Sequence, residues 1–168
     1  MFYQINKILK NSFPALSVIL FTFFNLFIAK NFVDFGPLIA LHALFFWLIF
    51  SPKFLPPFVI LILGFLQDII YLTPLGSTSL IFLVAIFLIQ KYKKFFLEPS
   101  FVEVWITFSF IFILSTIGFL GLISFINFKI IFTTSIFYQI FINLLFFPIS
   151  YIICYFFLKK FNLKQKNN

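Results

Sequence analysis

The chain has 168 residues, of which 63% are apolar and only 10% are charged, and its mean hydropathy is +1.17. Soluble globular proteins carry about 25% charged residues, so this composition indicates an integral membrane protein without a second, soluble domain. Four carboxylates, at Asp34, Asp68, Glu98 and Glu103, are too few for most hydrolase mechanisms. The single cysteine, Cys154, excludes an internal disulfide and a cysteine-based metal cluster.

The net charge of +8 comes from twelve lysines and no arginine. Lysines beside apolar helices usually meet anionic lipid headgroups, at about 1 kcal/mol per charge. The basic balance therefore predicts anionic lipids at the cytoplasmic face as a partner, and it does not argue for nucleic acid.

Apolar runs predict about six transmembrane helices, since a bilayer core needs roughly 20 residues per helical span. The first run is interpreted as an uncleaved span rather than a signal peptide, because it is long, lacks a small-residue cleavage pattern and leads into further membrane segments. Pro37 stands in the first turn of the second span, and Pro52 ends it. The spans form a single polytopic membrane domain over residues 1–168, and they are predicted at 13–29, 35–50, 55–72, 75–90, 101–126 and 137–158.

The apolar stretch 54–90 is nearly twice as long as one span requires, so it is predicted to fold back on itself. The break falls at residues 73–76, where Pro74 fixes φ and Gly76 permits a positive φ. Hydroxyl side chains at 77–79 then offer caps for the next helix. Further along, the sequence from Ser100 to Glu103 matches a capping box at the start of the fifth span.

The distribution of lysines over alternate sides of six spans predicts the orientation. One side holds ten lysines, whereas the other holds only Lys30 and Lys129. The positive-inside rule then places both termini in the cytoplasm and the 73–76 turn outside. The ten are Lys7, Lys10, Lys53, Lys91, Lys93, Lys94, Lys159, Lys160, Lys164 and Lys166.

Asp68 is the most informative polar residue, because an ionisable group at its depth in the third span costs at least a few kcal/mol unless it is paired or hydrated. Gly64, Asp68 and Tyr71 share one helix face by their spacing. Two interpretations stand equally: a partner contact or buried polar hub, and a carboxylate that caps the hydroxyl-rich turn at 77–79.

The last span carries a polar stripe of Gln139, Asn143, Ser150 and Cys154, which is predicted to face the bundle interior. Helix association is favoured over a transport pathway for this stripe. His42 is interpreted as a packed, hydrogen-bonded imidazole rather than a ligand, because the sequence offers no second residue at metal-ligand spacing.

Known catalytic motifs and phosphate-binding glycine loops are absent from the sequence, which predicts a non-enzymatic protein without cofactor or metal. An intramembrane aspartyl protease using Asp34 and Asp68 fits the size. It is disfavoured because Asp34 lies at the outer end of the second span and lacks the Asn/Gly/Ala-rich surroundings of lipoprotein signal peptidases.

The order of these residues resembles MreD, the small inner-membrane component of the bacterial rod-shape system, over nearly the whole chain. Three patterns carry the resemblance, and Gln67 departs from it by standing where an apolar residue is expected. The patterns are Pro37 with Phe46-Trp47 and Pro52; Gly64 and Asp68 followed by Pro74 and Gly76; and Asn143 with Pro148.

The resemblance implies a multi-pass scaffold of the inner (plasma) membrane that binds a MreC-like protein. Through that partner it would act with MreB, RodA and a penicillin-binding transpeptidase in sidewall peptidoglycan synthesis. It also implies a fold similar to the six-helix substrate-binding subunits of energy-coupling-factor vitamin transporters, and such an uptake subunit is the alternative function. The residues of the three patterns are candidate structural or partner-contact positions. The short predicted outer loops favour the scaffold.

Overall fold

A computed structural model of the chain describes residues 2–29, 36–92, 100–128 and 134–160. Regular secondary structure in this part of the chain is entirely helical, which confirms the predicted all-α class. Short 3₁₀ turns at Pro37–Ala40 and Pro52–Phe54 precede and follow the second helix. The α-helices are α1 (Phe2–Ala29), α2 (Leu41–Phe50), α3 (Pro57–Tyr71), α4 (Ser77–Tyr92), α5 (Phe101–Asn127) and α6 (Thr134–Lys160).

The short helix α2 forms the centre of the bundle. Every side chain from Leu41 to Ile49 is buried, and α2 contacts α1, α4, α5 and α6. A helix that is apolar on all sides is stable when its neighbours cover every side, so the apolar run around Phe46 and Trp47 places α2 inside. Helix α3 packs against α1 and α4, and its Ile60 and Leu63 belong to the same hydrophobic core.

Helices α5 and α6 are long and apolar enough to cross a membrane, with mean hydropathies of 2.3 and 2.1 over their most apolar stretches. Only 28% and 22% of the residues in those stretches are buried inside the protein. Apolar helices with so little burial present hydrocarbon side chains to their surroundings, as helices in a bilayer do.

The other apolar helical stretches in the described residues are shorter, at 10–17 residues. The 3₁₀ turn at Pro37 and α2 together extend about 21 Å at 1.5 Å per residue, against a hydrocarbon core of about 30 Å. By length and composition, two of the described helices are therefore long and apolar enough to cross a membrane, and the six spans that the sequence predicts stay a prediction. Prolines at 52, 56 and 74 interrupt the chain between the shorter helices.

Prolines also set the helix boundaries. Pro37 occupies the first turn of its 3₁₀ segment, as predicted, and Pro57 stands in the first turn of α3, two residues after the predicted start. Helix α3 ends at Tyr71, and the next residue, Leu72, has a left-handed φ of 53°. Helix α4 begins at Ser77 rather than at residue 75, because the two preceding residues belong to the turn.

Helix α5 begins with the predicted capping box. The Ser100 N–H donates to Glu103 Oε2 at 2.8 Å, and the Glu103 N–H donates to Ser100 Oγ at 3.4 Å. Helix α6 begins at Thr134, three residues before the predicted span, and continues through Pro148. Helix α1 begins at Phe2, well before its predicted span.

Some residues used in the sequence analysis lie outside the described residues. They comprise two carboxylates and half of the lysines used for the orientation. These residues are Asp34, Glu98, Lys30, Lys93, Lys94, Lys129, Lys164 and Lys166.

Candidate functional site

Asp68, near the end of α3, is fully buried against the turn that leads into α4. Its Oδ1 accepts hydrogen bonds from Thr73 Oγ1 at 2.9 Å and Ser77 Oγ at 3.0 Å. Oδ1 also accepts from the Thr78 N–H at 3.0 Å and contacts the Thr78 hydroxyl. Oδ2 accepts from the Gly76 N–H at 2.7 Å. Two main-chain amides and three hydroxyls thus surround one carboxylate.

This arrangement caps the amino end of α4. The first N–H groups of a helix have no partner inside the helix, and a negative charge beside them is favourable because of the helix dipole. Asp68 provides both an acceptor and a charge at that place. Of the two interpretations of Asp68, the structure shows the capping carboxylate, and its complete burial within the chain does not present it to a partner.

Gly64 allows α3 and α4 to approach closely beside this cap. A Cβ at Gly64 would lie 2.5 Å from the Cα of Ser79 and 2.7 Å from its N, so no larger residue fits without backbone movement. Thr78 Oγ1 lies 3.0 Å from the Gly64 carbonyl oxygen, and Ser79 Oγ donates to the Leu61 carbonyl at 3.1 Å. Gly64, Asp68 and the turn at 73–76 therefore belong to one unit, which we call the α3–α4 hairpin.

Tyr71 shares a face of α3 with Gly64 and Asp68 by spacing, but it bonds to a different helix. Its hydroxyl contacts the side-chain amide of Asn25 in α1, and Asn25 Nδ2 also reaches the Gly36 carbonyl at 3.4 Å. Gln67 Nε2 donates to the Thr22 hydroxyl of α1 at 3.4 Å.

Thr22 and Asn25 were missed by the sequence analysis, although both are buried. The available signal was their spacing of three within an apolar run, which places them on one face of α1. That face meets α3, so the polar residue Gln67 lies on an internal helix contact rather than toward lipid.

Trp47 of α2 is fully buried and joined to α1. Its Nε1–H donates to Ser17 Oγ at 2.7 Å, and that hydroxyl donates to the Pro14 carbonyl at 2.7 Å. A buried indole N–H requires an acceptor, and Ser17 supplies it. Trp47 therefore fixes the contact between α1 and α2.

His42 lies at the centre of the bundle, as a packed and hydrogen-bonded imidazole, which confirms the prediction. Its Nδ1 is 2.7 Å from the Ile39 carbonyl oxygen, and its Nε2 is 3.1 Å from the Asn143 carbonyl oxygen of α6. Its ring contacts phenylalanine rings on α5 and α6, with Phe108 closest at 4.8 Å between centroids. His42 thereby joins α2 to the main chain of α6.

Pro148 creates an acceptor in α6, because proline has no N–H for the carbonyl four residues before it. That carbonyl belongs to Leu144, and the Trp105 Nε1–H of α5 donates to it at 3.1 Å. An indole from a neighbouring helix replaces the missing donor of the helix. Pro148, one of the candidate residues, therefore contributes to the α5–α6 contact.

The polar stripe of α6 faces the interior at three of its four positions. Asn143, Ser150 and Cys154 are buried, whereas Gln139 is half-buried beside Gly36. Ser150 Oγ donates to the Phe147 carbonyl, and Asn143 Nδ2 donates to the Gln139 carbonyl, so both bonds return to α6 itself. The bond from another helix, at His42, reaches the main chain of Asn143 instead.

No family model, curated protein or solved structure matches this chain. The resemblance to MreD thus has only the short sequence patterns behind it. Residues of all three patterns lie at the contacts just described. The first pattern joins α2 to α1 through Trp47. The second forms the α3–α4 hairpin, and in the third Pro148 provides the acceptor for Trp105.

The chemistry of these groups is that of hydrogen-bonded packing. In the described part of the chain, no three His, Cys, Asp or Glu residues come together as metal ligands. The buried carboxylate of Asp68 already accepts bonds from the turn and the start of α4. Asp34, the second aspartate of the protease interpretation, lies outside the described residues.

Proposed function

We propose that this chain is a multi-pass protein of a bacterial inner membrane, with six spans and both termini in the cytoplasm. The α3–α4 hairpin supports this topology, because its turn lies at the end of the bundle opposite the exposed residues Lys53 and Lys91. Lys159 and Lys160 are exposed at the end of α6. Under the positive-inside rule, these lysines face the cytoplasm, where they meet anionic lipids.

The distribution of apolar surface supports the same proposal. Exposed large apolar side chains occur on α1, α3, α4, α5 and α6 but not on α2. The outer helices therefore present hydrocarbon to a bilayer, while α2 needs no lipid contact and is free to be short. Hydrophobic mismatch at short spans costs only fractions of a kcal/mol per Å and is met by local thinning of the bilayer.

Within this membrane, the chain acts as a non-enzymatic scaffold of the rod-shape system, in the manner of MreD. The observation that carries this proposal is the α3–α4 hairpin. Asp68 is used inside the fold, while the same helix exposes Phe65, Leu66 and Ile69 on its outer half. An apolar helix face held rigidly by a polar hairpin suits association with a partner helix, which is driven in lipid by van der Waals contact and hydrogen bonds.

The partner in this proposal is a MreC-like protein, which connects the chain to MreB, RodA and a penicillin-binding transpeptidase. The cavity near the predicted outer end of the bundle, where an uptake subunit would hold its ligand, is small, and this favours the scaffold over the vitamin-uptake subunit. It has a volume of about 60 Å³ and is lined in part by Gly36, Thr116 and Gln139. Small-molecule sites have volumes of about 300–1,000 Å³.

Depletion of the chain in its own host tests the cellular role. A rod-shaped host should become rounded, with delocalised sidewall synthesis, because the synthetic complex loses its membrane scaffold. Cells that keep their shape but lose uptake of a vitamin would contradict the scaffold role and support the transporter-subunit alternative.

Photocrosslinking tests the partner contact directly. A photoreactive phenylalanine at Ile69, on the outer half of α3, should capture the MreC-like protein in membranes. Ile106 on α5 is the matched control, because its exposed fraction of 64% is close to the 60% of Ile69. Equal capture from both positions would mean random collision in the membrane and would contradict the proposed contact.

A further inference from the structure

A cleft between α1 and α6 opens at the side of the bundle and has a volume of about 500 Å³. Its walls are almost entirely hydrocarbon, and phenylalanine contributes most of them. Ser17, one of its few polar residues, bonds to Trp47 and to the Pro14 carbonyl. The cleft therefore offers apolar contact and little hydrogen bonding to an occupant.

The cleft is long and narrow. Its lining on α1 extends from Phe13 to Phe27, which is about 21 Å along the helix at 1.5 Å per residue. Near one end, the rings of Phe13 and Phe157 are in contact, with centroids 4.6 Å apart, and nearer the other end the centroids of Phe24 and Phe146 are 6.0 Å apart, so these ring contacts join the two walls of the cleft. A single extended acyl chain has this shape, whereas a compact ligand does not.

Two lysine positions flank the cleft lining at the end that contains Phe13 and Phe157. Position 10 precedes Phe13 by three residues and Ser17 by seven, so it lies on the cleft face of α1. Lys160 follows Phe157 by three residues and Ile153 by seven, and it is exposed on the same face of α6. Lys160 thus places positive charge at this end of the apolar cleft, and helical spacing brings position 10 of α1 to the same end.

We propose that this cleft binds one anionic phospholipid of the cytoplasmic leaflet. Its acyl chain lies between α1 and α6, and its phosphate lies at the mouth where Lys10 and Lys160 stand. Basic sites between transmembrane helices on the cytoplasmic side are typical binding places for anionic headgroups. The inference rests on the proposed membrane topology and not on the scaffold role.

A partner helix fits the cleft less well than a lipid does. A helix with its side chains is about 10–12 Å wide. The rings of Phe13 and Phe157 and those of Phe24 and Phe146 lie only 4.6 and 6.0 Å apart between centroids, so a helix does not enter between α1 and α6. A flexible chain can follow the gaps between such rings.

The test uses the purified full chain and phosphatidylglycerol, with phosphatidylcholine as the neutral probe, followed by native mass spectrometry. The chain should retain one phosphatidylglycerol after phosphatidylcholine is removed. Replacement of both lysines, K10Q with K160Q, should weaken phosphatidylglycerol binding roughly thirtyfold. The control pair, K53Q with K91Q, removes the same charge from segments that do not line the cleft and should change binding little.

A second variant tests the apolar wall independently of charge. Leu20→Trp fills the cleft and should abolish retention of the lipid, whereas Leu80→Trp, on an exposed part of α4, should not. A photoreactive acyl chain on phosphatidylglycerol should label peptides from α1 and α6 in the wild-type chain.

Equal loss of binding in both lysine pairs, equal retention of the two lipids, or labelling confined to other helices would overturn the proposal. Capture of a protein helix in place of lipid by a photoreactive residue at Ile153 in native membranes would overturn it too. The lipid test contains no partner protein, so its failure leaves the scaffold role standing. If the Ile69 crosslink were absent while lipid binding was intact, the scaffold role would be contradicted and the lipid site would stand.

Discussion

The α3–α4 hairpin and the centre of the bundle, which comprises His42, Trp105 and Pro148, satisfy main-chain polar groups in opposite ways. In the hairpin, the carboxylate of Asp68 accepts from the free N–H groups at the start of α4. At the centre, a ring nitrogen of His42 and the indole N–H of Trp105 bond to carbonyls of α6, including the one that Pro148 leaves without a donor. In an apolar surrounding, each unsatisfied main-chain group costs several kcal/mol, so both regions are required by the same constraint.

The two regions differ in the sequence separation of their hydrogen-bonded residues. Asp68 bonds to groups at most ten residues away, so the hairpin closes locally. His42 reaches a carbonyl 101 residues away, and Trp105 reaches one 39 residues away. Hairpin variants should therefore destroy a local unit, whereas variants at the centre should loosen contacts between helices that have already formed.

The largest effect is expected at Asp68. Asp68→Leu leaves the amides of Gly76 and Thr78 buried without an acceptor, and it should lower the free energy of unfolding by about 2–5 kcal/mol. Asp68→Asn keeps one acceptor oxygen but turns an NH₂ group toward the Gly76 amide, so it should cost about 1–2 kcal/mol. Thermal unfolding of the purified protein in detergent measures both. Two equally stable variants would contradict the capping role.

Gly64→Ala tests the close approach of the two hairpin helices. The new Cβ would meet the backbone of Ser79 at 2.5 Å, and the resulting shift should cost about 1–3 kcal/mol. Gly121→Ala is the matched control, because no atom lies within 4 Å of its added Cβ. Similar melting temperatures for the two variants would show that α3 and α4 are further apart than described.

The bond between Trp105 and Leu144 is expected to depend on Pro148. Trp105→Phe removes the donor to the Leu144 carbonyl and should cost about 1–2 kcal/mol. In a Pro148→Ala background, the new N–H of α6 supplies that carbonyl, so the same substitution should cost less. A double-mutant cycle on unfolding free energies should give a coupling of about 0.5–2 kcal/mol. Additive losses of unfolding free energy would show that the Trp105 bond does not depend on Pro148.

The smallest effect is expected at the end of α3, where Leu72 adopts a left-handed φ of 53° and is almost fully exposed. A left-handed conformation costs a non-glycine residue about 1 kcal/mol, so Leu72→Gly should stabilise the hairpin by about that amount. Leu75→Gly, in the same turn but without a positive φ, should give no gain. The melting temperatures of the two variants decide this.

Much of the hairpin could be predicted from the sequence because its determinants are close together. Pro74 and Gly76 mark the turn, and the hydroxyl residues after them mark the helix start. A carboxylate one turn before this break is too costly to leave alone in lipid. The capping box at Ser100 and Glu103 was equally local, and it is present as predicted.

The sequence could not identify the partners at the centre, because helical spacing says which face a residue occupies but not which helix that face meets. His42 and Trp105 both bond to main-chain carbonyls, and a carbonyl carries no sequence signal. Asn25 was missed for the same reason, since its contacts with Tyr71 and Gly36 depend on how α1 is placed. The prediction of six spans was made from the apolar composition of the runs. The lengths of the helices depend instead on the prolines that interrupt those runs.

The most direct test of this account asks whether Asp68 acts only through the fold. Asp68→Asn would be expressed in the native host with the photoreactive residue at Ile69, and partner capture would be measured per folded molecule. We expect fewer folded molecules, each of which captures the MreC-like protein as well as the wild-type chain does. A variant that folds in normal amount but loses the partner crosslink would contradict it, because Asp68 would then contact the partner itself.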